Sequence, residues 1–238
     1  MDSYNPTSLA RWLGLGETRK ERLASELDEA RKNDAADSAA AERRYQEALA
    51  DYHEQRELAE RLLAGDVEAL MEVIREFNLF SAISALGSSV QIRALPNLRM
   101  AAELQIHGED CIPRQALTLL KSGRASTKKL PKGDYYRLHQ DYVCSAVLRV
   151  ARELFALTPV EAVTVTATDM VLNSTTGHLE PQALLSAFIP RATFERLDLN
   201  RVDPSDCFRN FLHNMNFRPS TGLGPVDPLD PERVGPNG

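Results

Sequence analysis

The chain has 238 residues and a net charge of −6, with 43% hydrophobic and 26% charged side chains. That composition excludes collagen-like, wholly disordered and disulfide-scaffold classes, and the length allows one large domain or one domain with an appendage. No run of about 18 apolar residues occurs, so neither a membrane span nor a membrane partner is expected.

Residues 1–16 (MDSYNPTSLARWLGLG) form an N-terminal tail without the basic start and apolar core of a secretory signal. The three cysteines, Cys111, Cys144 and Cys207, are scattered and form no CxxC pair. They read as small buried hydrophobes in a reduced compartment, so a cytoplasmic location is expected.

The charge is unevenly spread. Residues 17–66 hold 9 basic and 14 acidic side chains, a net −5, which leaves −1 for the rest. The segment has no proline and only one glycine, Gly65, and is rich in the helix formers Ala, Glu, Arg and Leu. Thr18 with Glu21 reads as a capping box and Gly65 as the C-terminal stop. The series Leu23, Leu27, Ala30 steps by four and three, and continues through Ala41, Tyr45, Ala48, Tyr52, Ala59 and Leu62. Asp34, Asp37 and Gln55 fall on the same stripe, which weakens it as a coiled-coil seam. The run Asn33 to Ala41 (NDAADSAAA) is the natural place for a break. The arm is therefore expected as a coiled coil or an α-hairpin.

Residues 67–218 are expected to form a compact α+β domain of four or five strands packed by helices. Asp66 can cap a helix over 67–86 that stops at Gly87. Two strands then flank the Pro96–Asn97 turn, the second alternating Met100, Ala102, Leu104 and Ile106 with polar residues. Ala116 to Leu120 fits a third strand or a short helix. Asp134 to Leu157 is a helix with a broad apolar stripe that ends before Pro159. Val160 to Leu172 is β-branched and alternating, hence a strand. Gln182 to Leu197 reads as another strand with Pro190 at an edge or bulge. Asp203 and Pro204 cap and open a helix DPSDCFRNFLHNM. Residues 219–238, rich in proline, are expected as a disordered tail.

No phosphate-binding glycine loop, His-Glu-x-x-His, Gly-x-Ser-x-Gly or EF-hand loop occurs. His107 and Cys111 lie four residues apart, a single pair that supplies only two ligands, and no other histidine is three or four residues from a histidine or a cysteine. No catalytic residue, metal or cofactor is therefore assigned. A polar pocket assembled from Glu103, His107 and Asp169 is one candidate. The more distinctive candidate is a basic stretch. Lys121, Arg124, Lys128, Lys129, Lys132 and Arg137 belong to it, with Arg114 upstream, and no acid falls between Asp110 and Asp134. It can contact phosphates of nucleic acid or another anion, with Tyr135 and Tyr136 stacking on bases. Otherwise it is a solvated loop.

The order helix–β–β–β–helix–β over residues 67–172 resembles the core of the restriction-endonuclease-like nucleases. In that family an acid precedes a strand bearing Asp/Glu-x-Lys. The matching strand here carries Glu103-Leu104-Gln105, with Gln105 in the lysine position, and the first strand, Ser88 to Leu95, has no acid. The resemblance thus implies a diverged core that binds nucleic acid, because hydrolysis needs carboxylates clustered around a cation. The preferred expectation is a non-enzymatic interaction or assembly protein. Its arm would serve self-association into a homo-oligomer or docking of a protein partner. Its α+β domain would bind a protein or ligand. Nucleic-acid binding is the alternative.

Overall fold

Alanine, glutamate, arginine and leucine dominate residues 17–66, and these lose little side-chain freedom in a helix. The computed structural model, which describes residues 15–77, 80, 88–106, 112–172 and 176–235, forms a single helix there, α1 (Leu15–Leu63). Two units are distinguished, Met1–Ala59 and Glu60–Gly238. The expected break at NDAADSAAA does not occur. Asn, Asp and Ser each cost only a fraction of a kcal/mol in a helix, and neither proline nor glycine interrupts the run. Nor is Thr18 the cap, because the helix already begins at Leu15.

Within the first unit, the helix is solvated. No residue between Arg19 and Ala59 is buried. Pairs four residues apart support it: Arg22 to Glu26 at 2.8 Å, Lys32 to Asp28 at 3.2 Å, and Gln46 donating to Glu42 at 2.8 Å. Each contributes about 0.2–0.5 kcal/mol.

In the second unit, Gly65 adopts φ 77°, the left-handed conformation that ends α1 without a Cβ penalty. Asp66 then caps α2 (Val67–Glu76) by accepting from the N–H groups of Glu68 and Ala69 at 2.8 and 3.2 Å. The remainder of the expected helix 67–86, with its stop at Gly87, falls largely outside the described residues.

β1 (Ser89–Leu95) and β2 (Arg99–Gln105) pair antiparallel around the Pro96–Asn97 turn. β3 (Gln115–Leu119) and β4 (Ala125–Lys129) follow, then α3 (Lys132–Leu157) and β5 (Ala162–Leu172). β5 lies parallel to β2, with Met100 opposite Val163 and Leu104 opposite Ala167. β6 (Leu179–Pro190) pairs antiparallel with β5, through a bulge beside Ala167 and Thr168. Residues 191–197 do not continue that strand as expected. Pro190 has no N–H for a ladder, and α4 (Arg191–Phe194) begins directly after it.

Asp203 does cap a helix, but α5 (Pro204–Cys207) is one turn long and gives way to a 3-10 turn, Phe208–Asn210. The residues expected to extend it instead form β7 (Leu212–Arg218), which pairs with β6 and with β8 (Gly222–Gly224). The main sheet therefore has six strands in the order β1-β2-β5-β6-β7-β8, rather than four or five, and β3-β4 form a separate two-stranded sheet. The third strand of the nuclease-like order is thus not in the main sheet.

α3 covers one sheet face. Val143, Val147, Val150, Ala151 and Leu154 pack with Met100, Ala102, Leu104, Val163, Val165, Leu185 and Ile189 in one core. Burying each large aliphatic side chain contributes about 1.5–3 kcal/mol. Strand alternation sends Gln91, Glu103, Thr164, Thr166 and Thr168 to the other face. Residues 225–234 of the proline-rich tail lie over that face rather than forming the expected disordered segment. Val226 N–H donates to the Ala183 carbonyl at 2.9 Å, Leu229 N–H to Ser186 Oγ at 3.0 Å, and Asn214 Nδ2 to the Asp227 carbonyl at 2.8 Å. Arg93 pairs with Glu232 at 3.0 Å, and Arg99 donates to the Val234 carbonyl at 2.6 Å.

Candidate functional site: a cationic ribbon and a strapped cleft

The basic stretch is a β-ribbon rather than a loop. Gln115 pairs with Lys129, Leu117 with Thr127, and Leu119 with Ala125. The turn is closed by Leu120 N–H to the Arg124 carbonyl and Gly123 N–H to the Leu120 carbonyl, both at 2.9 Å. Gly123 supplies the φ of 76° that the turn requires. Antiparallel pairing with residues 125–129 decides the strand over the short helix. All ten ribbon residues are exposed except Ser126, which is half-buried.

Alternation then sorts the side chains. Gln115, Leu117, Leu119, Ala125, Thr127 and Lys129 share one face, and Ala116, Thr118, Ser126 and Lys128 the other. Lys121 and Arg124 sit at the tip. Leu117 and Leu119 are 78% and 76% exposed. A two-stranded ribbon is marginal by itself in water, and two open leucines do nothing to stabilise it.

At the ribbon's base a cavity of about 140 Å³ is lined by Arg114, Lys129, Leu130, Lys132, Tyr135 and Tyr136. Leu130 N–H donates to the Arg114 carbonyl at 3.0 Å, which ties the two strand ends together. The Arg114 guanidinium lies over the Tyr135 ring at 5.6 Å, and Tyr135 meets Tyr136 edge-on at 5.5 Å. Tyr135 is buried. A Cβ built on Gly222 would stand 2.7 Å from the Tyr136 ring. The two rings thus orient Arg114 and pack on the domain; they are not splayed platforms for bases. Among the expected cations, the fold joins Lys129 and Lys132 with Arg114. It leaves Lys121, Arg124 and Lys128 along the ribbon. Arg137 stands apart on α3, 3.8 Å from Asp134. Arg114, the upstream member of the stretch, completes the cavity.

The second concavity lies where residues 225–231 cross the open sheet face. It measures about 1140 Å³ and includes Glu103, Thr164, Thr166, Thr168, Gln182 and Asp227 in its wall. Glu103 faces this cleft, whereas alternation along β5 places Asp169 on the opposite face from Thr168. The pair does not share a pocket. His107, the third member of that expected trio, lies outside the described residues.

Other reactive groups are engaged structurally. Cys144 and Cys207 are buried free thiols, and burial pushes both above the usual thiol range. Cys111 lies outside the described residues. Burial, joined by the negative charges of Asp203 and Asp206, raises the Asp141 carboxyl above its ordinary value, although a Ser205 hydrogen bond opposes this. Asp203 is held low, chiefly by the Asp206 N–H and then by Ser205. Among the described residues no group of three or more His, Cys, Asp or Glu side chains could hold a metal ion. No described helix is long and apolar enough to cross a membrane. No protein-family model matches the chain, and no curated protein or solved structure matches it.

Proposed function

We propose that the protein is a non-enzymatic assembly protein whose helical arm associates with the arm of a second copy. The observation that supports this reading is a 49-residue helix on which no residue between Arg19 and Ala59 is buried, although it carries an apolar stripe. Tyr45 and Tyr52 on that stripe are 60% and 57% exposed. Helices gain most of their stability in proteins from packing an apolar face, so a long solvated one favours a partner. The steps of four, three and four through Ala41, Tyr45, Ala48 and Tyr52 suit a copy of the same helix, because small Ala positions can receive Tyr across a seam.

Light scattering on the full chain tests this. The wild-type protein should be an oligomer at micromolar concentration. Tyr45→Glu with Tyr52→Glu should give a monomer with an unchanged melting transition of the compact unit. A monomeric wild type removes the proposal.

A further inference from the structure

We propose that the β3–β4 ribbon is a docking surface for an anionic lipid bilayer, with the cavity at its base seating a headgroup phosphate. The inference is independent of the arm. Charge comes first. Between Asp110 and Asp134 the chain has Arg114, Lys121, Arg124, Lys128, Lys129 and Lys132 and no acid, within a protein of net charge −6. Six cations without an acid thus share one short segment, with Lys121 and Arg124 at the ribbon tip, Lys128 and Lys129 on opposite faces of β4, and Arg114 and Lys132 at the base.

Their arrangement matters more than their number. On the ribbon face that bears Lys129, the order from base to tip runs from the cationic cavity, through Leu117 and Thr127, to Leu119 and Ala125, and ends at Lys121 and Arg124. An apolar centre thus lies between two cationic ends. Leu120, beside the tip, is also exposed. A bilayer surface offers both complements at once. Its phosphates meet the cations, and the boundary between headgroups and acyl chains takes the leucines.

Nucleic acid is the competing occupant of this charge, and the geometry favours it less. Phosphate backbone offers no apolar cover for Leu117 and Leu119. The tyrosines that would stack on bases are already occupied by Arg114 and by the domain around Gly222. The cavity itself, about 140 Å³ with Arg114, Lys129 and Lys132 in its wall, has room for a phosphoryl group. Arginine gives a fork of donors for phosphate oxygens, and the lysines add charge without fixed geometry. A surface site of this kind needs no membrane-crossing helix.

The test is co-sedimentation of the full chain with phosphatidylcholine vesicles, with or without about 30% phosphatidylserine, at low and high salt. Wild type should bind only the phosphatidylserine vesicles, and more weakly as salt rises. Leu117→Glu with Leu119→Glu should weaken binding at least about tenfold. Lys129→Glu with Lys132→Glu should do the same. All four side chains are exposed, so melting curves of both variants should match wild type and show that folding is intact. Failure of wild type to bind phosphatidylserine vesicles overturns the proposal. So does binding that the leucine variant leaves unchanged. A parallel gel-shift arm at the same salt uses single-stranded DNA. A shift that survives the leucine substitutions and is lost with the lysine substitutions, without vesicle binding, assigns the ribbon to nucleic acid instead.

Discussion

The backbone N–H of Leu229 donates to the hydroxyl of Ser186 at 3.0 Å, across 43 residues of sequence. Ser186 is fully buried, and its Oγ also lies 2.8 Å from Thr166 Oγ1. One hydroxyl on β6 therefore links the proline-rich strap to the polar sheet face. Ser186→Ala should lower stability by about 1 kcal/mol, because it orphans the Leu229 donor. Hydrogen exchange at Val226 and Leu229 should accelerate while that of β5 stays slow. Unchanged exchange in the strap would show that this bond does not hold it.

Arg191 carries more. Its guanidinium donates to the carbonyls of Val160 at 2.7 Å, Phe155 at 3.0 Å and Thr158, and it lies 4.7 Å from the Phe155 ring centre. It also pairs with Glu195 at 3.1 Å. These carbonyls include the end of α3, which lacks basic residues in its own last turn. Arg191→Lys should cost about 2 kcal/mol, since an ammonium cannot reproduce the planar fork, and Arg191→Ala about 3 kcal/mol or more. Chemical denaturation measures both. Equal stability of Arg191→Lys and wild type would refute the role.

Gly222 opens β8 at φ 82°, with the Tyr136 ring against the position of a side chain. Gly222→Ala meets both a strained backbone and a ring 2.7 Å away. The expected loss is about 2 kcal/mol, read as a lower denaturation midpoint. The cavity beside Tyr136 should change with it, so the same variant should weaken binding of vesicles that contain phosphatidylserine.

Asp141 provides the pH test. Burial and the charges of Asp203 and Asp206 raise its carboxyl in the folded protein above its value in the unfolded chain. Folding is therefore penalised where Asp141 is ionised, and the penalty disappears as pH falls through its folded and then unfolded values. Asp141→Asn should stabilise the protein at neutral pH by roughly a few tenths of a kcal/mol, after screening by solvent. The gain should vanish at acid pH. Thermal melts of the variant and wild type across pH 3 to 7 measure the difference. A variant less stable at neutral pH contradicts this account.

Much of the architecture was legible because period and punctuation agree. Asp66 and Gly65 mark the α1–α2 junction, the Met100–Leu104 alternation marks β2, and the stripe from Val143 to Phe155 marks α3. The failures have physical causes. Phe208 to Met215 looks amphipathic as a helix, but Leu212 onward gains more from pairing with β6, whose edge would otherwise be open. The tail resembles a disordered segment by composition, yet its donors find Ala183 and Ser186. Of the expected pocket of Glu103, His107 and Asp169, Asp169 is parted from Glu103 by the parity of β5, and His107 lies outside the described residues.

The sequence by itself determined that an acidic helical arm precedes an α+β domain, and that six cations gather in one acid-free segment. These follow from local propensity, alternation and charge, which need no distant partner. Tertiary structure decided that the cationic segment is a ribbon with leucines open to solvent, that Arg114 and two tyrosines close a cavity at its base, and that the proline tail straps the sheet. Each depends on pairing residues far apart in the chain, where burial and backbone hydrogen bonds outweigh what any short window encodes.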